Sequence, residues 1–502
     1  MAKSAKDGAM LIRVTVQRNT TIGEEDNWDA IKGAFSSHMT HLFPAIVCIC
    51  YNETFNRSRP SKENPFIMLY GDAMHVLEKT PLGLAYQVGP DAFCEINHEV
   101  EMLQYEQSTS WIEEFEGAIL LCSGRDINSF GLGYGSIRNK KGEKIFSEVV
   151  AVQHCPLVHR DAIANFERHS DKVKATVLHL SKDEMASGVA VALEAALERQ
   201  NYPPVVVVTT GGRKGLNPEY LRFLKDHRSV RCIVYNSCST KSLVVDMEGF
   251  LGGPEGYYID GFRSYDFFAG TRYTASVTRL IRRPKTLILP IGPAGVGKST
   301  LARTLTERSP LGACLWWERD EEFSSLRNKN VSMTKSKSMI HDNMLAFLRG
   351  ECKSVRIVDS TNGNAGARLL YVNENMPELL IFVAIRPSSE NEDEILGVLL
   401  ERTHNRLGDG NTIHPSFPST VDEQREKHKR ILKGIEYPSW SELDGMGGKD
   451  VRKVHLHCDP CDDSKLSSLP FEIFLEYSIG TGLRQLVKCD CPVLVDVTNA
   501  GI

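Results

Sequence analysis

Between Gly292 and Ser299 the chain reads Gly-Pro-Ala-Gly-Val-Gly-Lys-Ser, the spacing G-x-x-x-x-G-K-S of a P-loop. The spacing has a mechanical reason. Gly292, Gly295 and Gly297 let backbone N–H groups turn inward around a polyphosphate. A helix beginning near Lys298 aims its positive dipole end at the same charge. Lys298 would reach the β- and γ-phosphates, the Ser299 hydroxyl would ligate Mg²⁺, and Thr300 follows in the same nucleotide-binding set. ATP and GTP fit this pattern equally.

Four further residues could turn a bound triphosphate into chemistry. Asp359 follows the apolar run Val355-Arg-Ile-Val358, where a carboxylate can hold the water shell of Mg²⁺; a turn-capping role stays open. Asp320 closes Leu315-Trp-Trp-Glu-Arg-Asp320 in the second strand region, the place for a carboxylate that takes the proton of an attacking hydroxyl. Arg402 and Arg406 are four apart, hence on one helical face, and precede Gly408-Asp-Gly410. They read either as a lid that brings guanidinium charge to the transferring phosphoryl group or as a basic helix end favoured by its dipole. The expected catalytic set is Lys298, Asp320, Arg402 and Arg406, with Ser299 and Asp359 on the metal.

With these residues in view, the segment from Gly292 to about Leu432 resembles the polynucleotide 5′-kinase domain of fungal-type tRNA ligases. That family shows a P-loop, an Asp after the next strand, an Asp-x-Asn-Asn stretch with a later Arg, and an arginine lid. The counterparts are the P-loop, Asp320, Asp359-Ser-Thr-Asn362 with Arg368, and Arg402-Thr-His-Asn-Arg406-Leu-Gly-Asp409 with Asn411-Thr-Ile413. The lid departs at one or two positions and the Asn pair is incomplete. The resemblance implies a P-loop kinase fold and 5′-hydroxyl phosphorylation. The family's nucleotidyl-lysine ligase motif has no convincing counterpart upstream.

Upstream, Tyr235-Asn-Ser-Cys238-Ser-Thr-Lys-Ser-Leu243-Val-Val-Asp246 resembles the nucleophile motif Y-x-S-C-N-P-x-T-L-x-x-D of RNA uracil-5-methyltransferases. Asp91-Ala-Phe-Cys-Glu-Ile-Asn97, Val206-Val-Val-Thr-Thr-Gly-Gly-Arg213 and Asp266 to Val277 match further motifs of that family in order. The likeness spans about residues 25 to 282. It implies a Rossmann-like S-adenosylmethionine methyltransferase fold in which a thiolate adds to C6 of uracil and a base later removes the C5 proton. Cys238 stands at the nucleophile position, but the base position is Ala275. The Asp of the D-P-P-R motif is Thr210, and both prolines are glycines. In the cofactor loop, aligned to Cys122-Ser-Gly-Arg-Asp-Ile-Asn128, the Asp is Cys122 and the glycines are Asp126 and Asn128. The ribose-binding acid is Gln153 and the motif glutamine is Glu95. The domain is therefore expected to be inactive, with Cys238, Ala275 and Thr210 vestigial and S-adenosylmethionine not a cofactor. It is also expected to lack the family's N-terminal barrel. Cys238 is expected to be a small buried hydrophobe.

These residues need scaffolds. A chain of 502 residues exceeds one ordinary core, so two domains are expected. Ala45–Tyr51, Gly117–Cys122, Val149–Val152, Pro204–Thr209 and Arg231–Tyr235 read as strands, the β-branched runs among them suiting buried parallel strands. Leu11–Val16 is also strand-like. Met185–Arg199 and Lys241–Phe250 read as helices. A second series follows Arg282-Arg-Pro-Lys285: strands Thr286–Pro290, Val355–Asp359 and Leu379–Ile385, with helices Ser299–Glu307, Glu392–Arg406 and Val421–Ile435. Alternation of strands and helices argues α/β architecture twice over. The expected limits are 1–283 for the methyltransferase-like domain, 284–480 for the kinase-like domain and 481–502 for a tail. Arg279, Arg282, Arg283 and Lys285 read as a solvated linker, with a local nucleic-acid patch as the alternative.

The chain is 41% hydrophobic and 25% charged with net charge -5, which argues against a broad basic surface for nucleic acid. No apolar run approaches the ~20 residues of a membrane span. The start lacks the apolar stretch of a secretory signal. Thirteen scattered cysteines suit a reducing compartment, so an intracellular place is expected, with cytoplasm, nucleus and mitochondrion all compatible. Cys458, Cys461, Cys489 and Cys491, with His455 and His457, could hold zinc, yet Lys453–His457 also reads as a strand. Three functions fit: an RNA-associated P-loop kinase with an inactive methyltransferase-like domain; a non-catalytic assembly factor with protein partners in a ribonucleoprotein; and an active uracil-5-methyltransferase, which would need a new base and a rebuilt cofactor loop.

Overall fold

The computed structural model describes residues 2–4, 10–17, 28–54, 66–72, 74–80, 83–90, 92, 97–124, 130–252, 256–267, 274–293, 295–308, 314–350, 355–360, 362–385, 391–405, 420–437 and 452–458. The chain forms two compact α/β units, one from residues 1–250 and 259–281, the other from 251–258 and 282–502.

The first unit opens with a small mixed sheet. Strands β1 (Ala2–Ser4), β2 (Met10–Gln17), β3 (Ile46–Thr54) and β4 (Ile67–Tyr70) lie in that order, with helix α1 (Trp28–Leu42) crossing between the parallel strands β2 and β3. Period-2 alternation divides the faces. Ile12, Ile46 and Ile49 pack with Met39 of α1, while Leu11, Cys48 and Cys50 join the main core. The sequence reading saw two of these strands but not the sheet. A hairpin of β5 (Val76–Lys79) and β6 (Ala85–Val88) leads to helix α2 (His98–Ile112).

The main sheet follows: β7 (Ala118–Ser123), α3 (Leu132–Gly135), β8 (Phe146–Gln153), α4 (Pro156–Arg168), β9 (Ala175–His179), α5 (Met185–Arg199), β10 (Val205–Gly211), α6 (Pro218–Asp226), β11 (Val230–Ser237), α7 (Thr240–Leu251), β12 (Tyr257–Tyr265) and β13 (Ala275–Arg282). The strand order is β12-β13-β11-β10-β7-β8-β9, and β13 runs antiparallel to β11. The reversed β13 thus lies beside a parallel core of β11, β10, β7, β8 and β9. All six residues of β7 are buried, because helices cover both faces of a parallel sheet.

The second unit contains β14 (Thr286–Ile291), α8 (Lys298–Arg308), β15 (Cys314–Glu318), α9 (Arg319–Asn328), α10 (Met333–Arg349), β16 (Val355–Asp359), α11 (Ala365–Asn375), β17 (Leu379–Ile385), α12 (Glu392–Asn405), α13 (Val421–Gly434) and β18 (Arg452–Cys458). Its five strands are all parallel in the order β15-β16-β14-β17-β18. The central strand β14 alternates between two cores. Ile288 packs with Leu301, Leu305 and Leu399 from α8 and α12; Leu287, Leu289 and Ile291 pack with Met344, Leu348 and Val372 from α10 and α11. This is the expected second α/β unit, with the P-loop following its central strand.

One expectation here needs correction. The basic linker is not a solvated segment. Arg282 is buried, lies over the Tyr257 ring at 4.6 Å and donates to its hydroxyl at 2.6 Å. Pro284 is buried, and Lys285 donates to the Asn375 carbonyl. In the first unit Arg279 pairs with Asp260 at 2.8 Å and with Glu114, and burial pulls its pKa down to about 10. Long side chains with buried stems and paired heads satisfy a basic run without solvent. Cys458 ends strand β18, which pairs with β17, in keeping with the strand reading of Lys453–His457. Cys461, Cys489 and Cys491 lie outside the described residues, and among those described no metal-binding group of His, Cys, Asp or Glu occurs.

Candidate active site

The P-loop begins where β14 ends at the centre of the second sheet. Gly295 (φ +81°) and Gly297 (φ +107°) have left-handed backbones, conformations a Cβ would strain. Val296, fully buried, anchors the loop in the core. Helix α8 begins at Lys298, and its first turn closes with Leu301 N donating to Gly297 O at 2.9 Å. Lys298 is only 8% exposed; its ammonium curls over the loop and donates to Gly292 O (3.0 Å) and Pro293 O (2.8 Å). A cation thus sits above a loop of inward-turning backbone. Thr300 points outward and is exposed.

Ser299 is buried, and its hydroxyl donates to Glu318 Oε1 at 3.2 Å. Glu318 ends β15, and the register sets it beside Asp359, which ends β16. Strand ends of an open α/β sheet are where ligands bind, and here they carry a hydroxyl and two carboxylates. Such hard oxygen donors suit Mg²⁺.

Asp320 does not close the strand as the sequence suggested. The strand stops at Glu318, and Asp320 is the second residue of α9, half-buried. It interacts electrostatically with Lys427, whose own pKa is lowered, chiefly by burial.

The loop after β16 is fixed by the two motif residues Asn362 and Arg368. Asn362 (φ +47°) donates to Pro290 O (2.7 Å) and Val358 O (2.8 Å). Arg368, fully buried, donates to Asn362 O and Glu436 O, each at 2.7 Å. These side chains act on backbone carbonyls: they tie the segment carrying Asp359 to the strand that feeds the P-loop.

Helices α12 and α13 flank the lid segment. Arg402 lies near the end of α12; Arg406 lies outside the described residues. Helix α13 is capped by Thr420, which accepts from Glu423 N at 3.4 Å and donates to the Glu423 carboxylate at 2.8 Å. It is clipped to α12 by Arg425 and Asp393 at 2.6 Å. Its inner face buries Gln424 and His428. Burial, aided by Lys427 and Lys298, pushes the His428 pKa down to about 4, so the imidazole is neutral at neutral pH. Sequence reasoning missed Glu318, Lys427 and His428. The signals were a second carboxylate two residues before Asp320, and the 424/427/428 spacing that shares one helical face.

The first unit holds the degenerate motifs. Its switch point lies between β7 and β10, where buried side chains bond to one another. Ser123 Oγ is 2.8 Å from Thr209 Oγ1 and 2.9 Å from Tyr220 OH. Gln153, at the position of the ribose-binding acid, spends both ends of its amide on backbone: Nε2 donates to Gly124 O (3.2 Å), and Oε1 accepts from His154 N (2.8 Å) and Cys155 N (3.1 Å). Thr210 packs against Gly124, where a Cβ would come within 3.0 Å of it. At Gly211 a Cβ would lie 1.7 Å from Tyr235 OH, whose hydroxyl donates to Asp246, so the family's proline cannot replace it without displacing that pair.

Cys238 is exposed, contrary to the expectation of burial, because it stands just beyond Ser237, the last residue of β11. Ser237 pairs with Ser276, the last pair of the register between β11 and β13. Cys238, at the nucleophile position of the motif, follows that pair by one residue, and Ala275, at the base position, precedes it by one residue. Glu95, Asp126 and Asn128 lie outside the described residues.

No family model matches this sequence, and no curated protein matches it. Among solved structures, the tRNA m1G37 methyltransferase of M. jannaschii is similar over 56% of this chain and 74% of its own, with TM-score 0.33 and 9% identity. TYW2 of P. horikoshii in complex with MeSAdo is similar over 56% and 90%, with TM-score 0.33 and 7% identity. A gluconokinase from Sinorhizobium meliloti 1021 is similar over 39% of this chain and 96% of its own, with TM-score 0.25 and 17% identity. No helix among the described residues is long and apolar enough to cross a membrane.

Proposed function

We propose that the second unit is a Mg²⁺-dependent kinase that transfers the γ-phosphoryl group of ATP or GTP to the 5′-hydroxyl of a polynucleotide. We take the first unit as a methyltransferase-shaped body that no longer methylates and holds RNA or a protein partner. The domain limits we adopt are 1–283 and 284–480, with a tail at 481–502. The observation that carries the kinase reading is the convergence of Lys298, Ser299, Glu318 and Asp359 on one strand-end crevice. Glycine N–H groups and the α8 dipole would bind the β- and γ-phosphates, and Lys298 would move from its loop carbonyls to the phosphates. Ser299 and Asp359 would hold Mg²⁺, which supplies charge neutralisation of the transferring group when bound. The acceptor oxygen bonds to the γ-phosphorus as the bond from that phosphorus to the β,γ-bridging oxygen breaks. Asp320 takes the hydroxyl proton, and nucleoside diphosphate leaves. Arg402 and Arg406 would stabilise the charge on the equatorial oxygens.

Transfer of labelled γ-phosphate to 5′-hydroxyl RNA tests this. Lys298→Ala is expected to abolish transfer and Asp320→Ala to reduce it by about 10²- to 10⁴-fold, the range for a general base. Full activity in Asp320→Ala would remove Asp320 from its role. The commitment of the Gln153 amide to backbone in the first unit favours a second reading, an assembly factor within a ribonucleoprotein, whose nucleotide state governs docking. Loss of cellular function in Lys298→Ala together with no transfer to RNA by the wild type would select it.

A further inference from the structure

We propose that Glu318 is a positioning residue of the cation site: it takes the hydrogen bond of the Ser299 hydroxyl, turns that oxygen's lone pair toward the cation, and adds the charge that lets the cation bind before the nucleotide. This rests on the Mg²⁺-dependent reading of the P-loop and goes beyond it.

A serine in the first turn of a helix ordinarily bonds to nearby backbone. Ser299 instead reaches off its helix to a carboxylate at the end of β15, at 3.2 Å and nineteen residues along the chain. The direction of the proton matters. A hydroxyl ligates a cation through a lone pair, so its hydrogen must point elsewhere, and an ionised carboxylate is a strong acceptor for it. Ligands of bound metals are commonly oriented by such outer partners, which also raise their electron density.

Placement supports the charge argument. Neighbouring parallel strands lie about 4.8 Å apart, and the register puts Glu318 directly beside Asp359. Two carboxylates that close repel each other unless a cation lies between or before them. One carboxylate with the substrate phosphates is the common minimum for Mg²⁺; here two carboxylates and a hydroxyl gather without any phosphate. Asp359 is held from behind, since Asn362 fixes the segment that follows it. The site is therefore built from three separate elements, α8, β15 and β16, held by one shared hydrophobic core.

The test is a titration of the nucleotide-free full chain with Mn²⁺, read by loss of the free-ion paramagnetic resonance signal. The wild type is expected to bind one Mn²⁺ that Mg²⁺ displaces. Glu318→Gln, matched in shape but uncharged, is expected to weaken binding about 10- to 100-fold, as outer-partner changes do. Thermal melting by circular dichroism checks that the variant folds; should it not, Ser299→Ala carries the same expectation. Absence of Mn²⁺ binding to the wild type without nucleotide overturns the proposal, as does undiminished affinity in a folded Glu318→Gln or Ser299→Ala. The outcome is separable from the acceptor's identity. Mn²⁺ binding that depends on Glu318 stands even when 5′-hydroxyl RNA is not phosphorylated. Phosphorylation of RNA with Mn²⁺ affinity indifferent to Glu318 leaves the kinase reading intact and removes this one.

Discussion

At the scale of single residues, the second unit places charges where burial makes them consequential. His428 is fully buried on α13 and lies near Lys427 and Lys298. Its pKa is pushed from 6.5 down to about 4, first by burial and then by the two lysines. The unfolded chain therefore binds a proton between these values that the folded chain refuses. Stability is fully present above pH 6.5 and is lost as the pH falls toward 4, by on the order of 2–3 kcal/mol. Denaturant unfolding at pH 7 and pH 5 should show a loss in the wild type that is clearly smaller in His428→Gln. An equal loss in both would mean that other groups carry the acid sensitivity. The same residues show why the site was only half legible in the sequence. Gly292 to Ser299 is a local pattern, and its spacing alone implies the phosphate cradle. Glu318 meets Ser299 only because helix α8 packs against strand β15, and Lys427 meets Asp320 only because α13 folds back. Neither fact has a local signature.

Among the elements, strand β16 is instructive. Its five residues are all buried, including Arg356 at 2% exposure. An apolar strand was legible in Val355, Ile357 and Val358; the arginine between them was not accounted for. Its guanidinium donates to the carbonyls of Leu348 and Gly350, which close the C-terminus of α10, and lies 5.8 Å from the centre of the Phe347 ring. A cation at a helix C-terminus satisfies orphan carbonyls and the dipole together. Arg356→Ala would take these donors from both carbonyls, leaving Leu348 O with Asn375 Nδ2 at 3.2 Å, and open a cavity in the core. We expect it to destabilise the second unit by about 3 kcal/mol, read from the urea midpoint. Arg356→Met, which keeps the volume, should lose less through packing but still lack both donors. A change below ~1 kcal/mol in Arg356→Ala would show that water replaces the guanidinium freely. Strands β7, β10 and β14 were legible because buried parallel strands are nearly continuous apolar runs. The sheet of β1 to β4 was missed because its pairing partners are far apart in sequence and only two of its strands stand out by composition.

For the molecule as a whole, two α/β units differ in what stands at the ends of their central strands. In the second unit Lys298, Ser299, Glu318 and Asp359 gather around a glycine loop. In the first, Ser123 bonds with Thr209 and Tyr220, and the Gln153 amide is folded onto the backbone. A ligand that binds only the folded state at one hundred times its Kd adds about 2.7 kcal/mol of stability. For a unit of this size that raises its melting temperature by roughly 5–10 °C. Calorimetry of the full chain should therefore show a rise with ATP and Mg²⁺ or with GTP and Mg²⁺, abolished by Lys298→Ala. S-adenosylmethionine at the same concentration should leave every transition in place, because the Gln153 amide, which stands where the resembled family has a ribose-binding acid, is committed to backbone. A rise with S-adenosylmethionine would mean that this side chain moves aside, and the reading of the first unit as a non-methylating body would then fall.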